Sequence, residues 1–263
     1  MIKLNGEVVN IGHFPDGSLL LKEDANIALF LTGALIEWYF ENNEELVALI
    51  YLTKHLRANG TVDIDLIMPY IPNSRMDRVK NTSDVFTLKY FADIINSLNF
   101  NTVTVVDPHS SVSEALIDRI KVDNAEVCIT DAIAKCEPDM LFFPDSGAMK
   151  RYSEIVTYPY CFGIKRRNWT TGKIEGLDVV GEAEHVKGKN FLIIDDICSR
   201  GGTFLHSARK LKELGANKIY LYVTHCENTI LEGELLDGDL IEKVFTTNSI
   251  FTKSHEKIEV FEL

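Results

Sequence analysis

Short apolar runs alternate with stretches of helical spacing along most of this 263-residue chain, and few folds accept that pattern. A short apolar run suits a strand buried on both faces, and a helix between two such runs supplies the crossover that parallel strands require. The alternation therefore predicts an α/β fold of mostly parallel sheet flanked by helices. Expected strands are Ser18–Leu21, Ile27–Leu31, Ile64–Met68, Thr102–Val106, Leu141–Phe143, Phe191–Ile194, Ile219–Val223, Val244–Thr247 and Ile258–Phe261. Between Glu44 and Asn59, residues Leu46, Leu49, Ile50, Thr53 and Leu56 form one helical stripe, and Gly60 follows as a stop. A second helix is expected from a cap at Ser83 or Asp84 through Phe91, Ile94, Ile95 and Leu98, and a third over Thr203–Leu214 before Gly215.

Two halves repeat one plan: a strand ends in an acidic residue (Val106 to Asp107, Ile194 to Asp195), then a turn leads to a helix. This predicts two domains, 1–128 and 129–263, with the boundary inside Asn124 to Cys136. The polar, Gly-containing stretch Arg166–Lys189 is expected to be a mobile loop or flap. No apolar run approaches the ~20 residues of a membrane span, and Met1–Asn10 lacks the layout of a secretory leader. Five cysteines are scattered without a C-x-x-C pair, as free thiols would be. A cytoplasmic protein is expected, with no membrane partner. The net charge of −12 points away from nucleic acid, so an anionic ligand needs a local basic patch such as Arg75–Lys80 or Lys165–Arg167.

The segment FLIIDDICSRGGT, Phe191–Thr203, carries the most chemistry. A buried-type strand runs into Asp195 and Asp196, then into a Gly-Gly-Thr turn and a helix. Gly201 and Gly202 let backbone approach a phosphate, N–H groups at the helix start donate to its oxygens, and the helix dipole favours negative charge. Ser199 and Thr203 add hydroxyl donors and Arg200 adds charge. The two aspartates, at the carboxyl end of the strand, suit neighbouring ribose hydroxyls, directly or through a metal. The plainer account is a strand-to-helix turn with Asp caps.

Further segments join this one in a fixed order: HFPDGS (His13–Ser18), MPYIPNSRMDR (Met68–Arg78), VVDPHSS (Val105–Ser111), FPDSGAMKR (Phe143–Arg151) and IKRR (Ile164–Arg167). Together they resemble the ribose-phosphate pyrophosphokinase family, which has the type I phosphoribosyltransferase fold. Two phosphoribosyltransferase-like domains are thereby implied, with the nucleotide on the amino-terminal side and ribose 5-phosphate on the carboxyl-terminal loop. The chain departs from the family pattern at Ser199 and Arg200, where the loop usually reads D-T, and at Ser18 and Met76, where glutamate and glutamine are usual.

By this resemblance Phe14 stacks on adenine, and Asp16, Arg75, Asp77 and His109 serve ATP, at a site shared between subunits of a homo-oligomer. His109 and Asp145 place Mg²⁺, while Asp145, Asp195, Asp196 and Ser199–Thr203 hold ribose 5-phosphate. Lys165 and Arg167 are the implied catalytic cations. The implied reaction is attack of the anomeric hydroxyl on the β-phosphorus of ATP, giving phosphoribosyl pyrophosphate and AMP. Two other readings use the same residues. One is a phosphoribosyltransferase that consumes phosphoribosyl pyrophosphate; the other is a non-catalytic regulatory relative, suggested by Ser18. Taken one at a time, His109 reads as a hydrogen-bonded loop histidine, Phe14 as core, Asp145 as a turn former and Lys165–Arg167 as a solvated cluster.

Overall fold

A computed structural model describes residues 1–22, 33–167, 174–181 and 186–263, with backbone alone at 165–167 and 174–177. The chain divides into two compact units, Met1–Asp123 and Asn124–Leu263.

In the first unit the strands are β1 (Ile2–Leu4), β2 (Glu7–Val8), β3 (Asn10–His13), β4 (Leu19–Lys22), β5 (Ala34–Trp38), β6 (Ile64–Ile67), β7 (Val103–Val106) and β8 (Ile120–Asp123). Its helices are α1 (Glu44–Ala58), α2 (Thr87–Ser97) and α3 (Val112–Leu116). The sheet runs β2-β1-β5-β6-β7-β8; β5 to β8 are parallel, and β1 is antiparallel to both β2 and β5. Strands β3 and β4 form a separate antiparallel hairpin. Of the expected α1 stripe, Leu49, Thr53 and Leu56 are buried and Leu46 and Ile50 are partly buried against the core, which Leu52 also joins beside Ile36, Leu66 and Phe91. Gly60 after it has φ +93°, the left-handed geometry that glycine adopts at least cost.

In the second unit come α4 (Glu126–Cys136), β9 (Met140–Phe143), α5 (Ser146–Tyr152), β10 (Tyr160–Arg167), β11 (Ile174–Gly181), β12 (Phe191–Cys198), α6 (Gly202–Glu213), β13 (Ile219–Cys226), β14 (Lys243–Thr247) and β15 (Ile258–Phe261). The sheet order is β11-β10-β9-β12-β13-β14-β15, parallel throughout except that β11 returns antiparallel along β10. Alternate residues of β12 enter opposite cores. Leu192 and Ile194 pack with Ile129 of α4 and Tyr152 of α5, whereas Phe191 and Ile193 pack with Phe204, Ala208 and Leu211 of α6.

Four expectations need correction. Helix α2 starts at Thr87 with Phe86 as its cap, not at Ser83 or Asp84, because the Asp84 carboxylate accepts from the Lys80 and Asn81 amides and closes the preceding turn. A division at 128/129 would cut α4, whose Cys128, Ile129 and Ala132 belong to the second unit's core. Arg166–Lys189 is not one loop: Arg166 and Arg167 end β10, and Ile174–Gly181 forms β11. The aspartates Asp195 and Asp196 lie inside β12, which continues to Cys198. The expected strand Ile27–Leu31 lies outside the described residues.

Candidate active site

In a parallel sheet, ligands bind beyond the carboxyl ends of the strands. The order β10-β9-β12 sets three such ends side by side in the second unit. Beyond β9 comes Asp145, beyond β12 comes Ser199–Thr203, and β10 carries Lys165 and Arg167. The last β10 residue paired with β9 is Phe162, opposite Phe143, and β10 then continues as a two-stranded arm with β11 through a register shift at Arg166/Arg167. Lys165 therefore sits on the arm about 10 Å past that pair, at ~3.3 Å per strand residue.

Asp145 opens α5 by accepting the Gly147 and Ala148 amides on Oδ1, at 3.0 and 3.1 Å. The other end of that short helix supplies Arg151, whose Nη1 lies 3.1 Å from Oδ2 of buried Asp196. Asp196 shares the face of β12 with Leu192 and Ile194, the face covered by α5, so the pleat itself delivers the carboxylate to Arg151. Burial first, then the neighbouring Asp196 charge, push the Asp195 carboxyl well above the usual carboxylate range. Like charges in one poorly solvated place cannot both ionise cheaply; a cationic ligand or a hydroxyl donor would relieve the cost. Arg151 escaped sequence reasoning although it stands in the FPDSGAMKR segment, because its pairing with Asp196 depends on how α5 crosses β12.

The turn after β12 has the anticipated backbone. Gly201 has φ +77° and is the amino-terminal cap of α6, with no side chain capping the first turn. That leaves the cap to a ligand or solvent. The Ser199 hydroxyl is 3.1 Å from the Thr229 hydroxyl, and Arg200 Nη2 donates to Glu232 Oε2 at 2.8 Å. Arg200 thus contacts the 228–232 turn in this state. Both members of that pair are largely exposed, which makes the contact weak.

In the first unit, neighbouring strands β6 and β7 bring the Met68–Arg78 and Asp107–Ser111 segments to one rim of the sheet. Asp77 joins them: it accepts from Arg78 on Oδ1 at 2.8 Å and Oδ2 at 3.1 Å, and from Ser110 on Oδ2 at 2.8 Å. Those bonds, Arg78's foremost, hold its carboxyl below the usual range, with a smaller contribution from His109. Asp77 therefore fixes the loop that carries His109. Arg75 is exposed on the same segment. Phe14, half exposed, tips the β3–β4 hairpin, whose turn closes through Phe14 N–H to Ser18 and Gly17 N–H to Phe14. Asp16 accepts both the Ser18 amide and hydroxyl, at 3.0 and 2.6 Å, so here it shapes the turn.

Among the described residues no three His, Cys, Asp or Glu side chains gather as metal ligands. Mg²⁺ in phosphate-transfer sites is commonly held through one or two carboxylates and substrate phosphates. Asp145, beside the acid pair, fits such a role. His109, a nitrogen donor, is a poorer match for this hard cation.

A mostly parallel sheet flanked by helices occurs in both units, and in the second it ends in an acid pair and a Gly-Gly-Thr turn; this defines a protein of two phosphoribosyltransferase-like domains. A family model for the phosphoribosyl synthetase-associated domain matches residues 169–261. The ribose-phosphate pyrophosphokinase of Thermococcus kodakarensis is 29% identical over 253 residues, covering 93% of this chain and 86% of that protein. That of Shewanella oneidensis is 25% identical over 248 residues, covering 91% and 78%. A crystal structure of phosphoribosylpyrophosphate synthetase from Mycobacterium smegmatis has the same fold, with TM-score 0.78 at 21% identity over 97% of this chain and 86% of that one. Over most of its length the chain is similar to ribose-phosphate pyrophosphokinases. No helix among the described residues is long and apolar enough to cross a membrane.

Proposed function

We propose that this chain transfers the pyrophosphoryl group of ATP to ribose 5-phosphate with Mg²⁺, as a cytoplasmic homo-oligomer. The observation that carries the reading is β12 with its acid pair, followed by the uncapped, left-handed turn at Gly201. The 5-phosphate would take the Ser199–Thr203 amides and hydroxyls, and the ribose hydroxyls would take Asp195 and Asp196. ATP would bind the first unit through Phe14, Asp16, Arg75, Asp77 and His109, with Asp77 also holding the loop that carries His109.

The anomeric hydroxyl oxygen bonds to the β-phosphorus, the bond from that phosphorus to the α-phosphate oxygen breaks, AMP departs and the hydroxyl proton is released. Bound Mg²⁺, with Asp145 among its ligands, would lower the repulsion between attacking and transferred oxygens. Lys165 and Arg167 would neutralise charge that grows on the transferred group, the kind of preorganised contact that lowers a barrier most. Their place on the β10–β11 arm suits a part that closes after substrates enter.

The test is a coupled assay for AMP and phosphoribosyl pyrophosphate with purified protein, Mg²⁺ and both substrates. Formation of both products in equal amounts is expected. Neither product, beside an active synthase control, refutes the reading; pyrophosphate release that requires a base favours the phosphoribosyltransferase alternative, and ligand binding without turnover favours a regulatory relative.

A further inference from the structure

The turn that follows β13 meets the phosphate loop at every level of its structure. Glu227 N–H donates to the Cys198 carbonyl at 2.8 Å, tying its start to the end of β12. The Thr229 hydroxyl donates to Glu227 Oε2 at 3.1 Å and so accepts from the Ser199 hydroxyl, 3.1 Å away. Gly233 has φ −99°, which any residue adopts, yet a Cβ there would lie 2.1 Å from the Arg200 carbonyl oxygen and 2.9 Å from its carbon. Backbone is thus packed on backbone, closer than a side chain permits. Leu235 does the same from above: a Cβ on Gly201 would meet its Cδ2 at 2.6 Å and its Cβ at 2.7 Å. Ile230 and Leu235 are themselves buried in the α6-side core, so this turn has little freedom to yield.

We propose that the Glu227–Leu235 turn is a positioning element for the sugar-phosphate loop, with Thr229, Gly233 and Leu235 fixing the Ser199–Gly201 backbone in its phosphate-accepting geometry. These residues would act through the loop backbone rather than on the substrate itself. A loop pinned on one side presents its amides without first having to order, and that saving appears as affinity. Ser199 stands where an acid is usual in related loops, and the Thr229 hydroxyl gives its side chain a fixed orientation. The proposal rests on the ribose 5-phosphate reading above.

The experiment compares wild type, Gly233→Ala, Thr229→Val and Thr229→Ser in steady-state kinetics, with calorimetric titration of ribose 5-phosphate alone. Gly233→Ala is expected to raise KM and Kd for ribose 5-phosphate at least about tenfold, with KM for ATP within about twofold. Thr229→Val should raise them severalfold and Thr229→Ser should restore them. A merely structural turn would instead lower thermal stability and affect both substrates alike. Should Gly233→Ala fail to fold, the threonine pair still decides. Folded variants with wild-type affinity for ribose 5-phosphate would overturn the proposal. Absent turnover in wild type would instead sink the reaction assigned above, and calorimetry would still judge the turn; a wild type that neither turns over nor binds ribose 5-phosphate overturns both.

Discussion

Replacing Arg151 by glutamine takes an ion pair from the buried Asp196 carboxylate. The guanidinium is 29% exposed and the carboxylate 6%, so the pair lies between surface and interior. A fully buried partner left alone costs about 3–5 kcal/mol, and a charged hydrogen bond contributes about 1.5–3 kcal/mol. Partial exposure of Arg151 favours the lower range, about 2 kcal/mol, or about a 30-fold change in the unfolding equilibrium at ~1.4 kcal/mol per tenfold. Asp196→Asn should remove most of that penalty, since the carboxylate charge that Arg151 offsets is then gone. Urea denaturation of both single variants and the double variant reads this as a coupling of about 1.5 kcal/mol or more, with the double variant more stable than Arg151→Gln alone. Additivity within about 0.5 kcal/mol would show that Arg151 does not hold Asp196 in solution.

Other expectations concern charge. Lys165→Ala should lower turnover about 10²-fold or more while ribose 5-phosphate affinity holds within about twofold; unchanged turnover in single-turnover kinetics would remove Lys165 from its role. Asp195 has a folded-state pKa above its unfolded value near 3.8, so the native state keeps its proton more tightly. Stability of the ligand-free protein then falls as pH rises from about 4 through the raised value. Asp195→Asn should accordingly melt higher than wild type at pH 7, with the gap closing towards pH 4. A variant that melts lower at pH 7 contradicts the assignment.

Elements with one strong period were legible in the sequence, and elements set by tertiary pairing were not. Helix α1 and strand β15 follow from local spacing, because Leu49, Thr53 and Leu56 share a face and Ile258–Phe261 is a short apolar run. Strand β11, IEGLDVVG, has two glycines and two acids and pairs only because β10 lies beside it. Helix α4 was missed because its core side is made of Cys128, Ile129 and Ala132, too short a stripe to stand out. At the site, the Gly-Gly-Thr turn announced itself through backbone demands that only glycine meets. The supports around it did not: Thr229 lies thirty residues from Ser199, and Gly233 looks like any loop glycine until the Arg200 carbonyl is seen against it. Asp77, expected to serve ATP, accepts from Arg78 and Ser110 within its own unit.

Titration calorimetry of the purified protein with ribose 5-phosphate, ribose and inorganic phosphate asks whether the Ser199–Thr203 turn seats a phosphate monoester. Ribose 5-phosphate should bind in a one-to-one complex, at least about tenfold tighter than either fragment, and Thr203→Val should weaken it by about 1.5 kcal/mol or more, the share of one charged hydrogen bond. Equal affinity for ribose and ribose 5-phosphate, or a Thr203→Val variant that binds as wild type, would place the phosphate elsewhere.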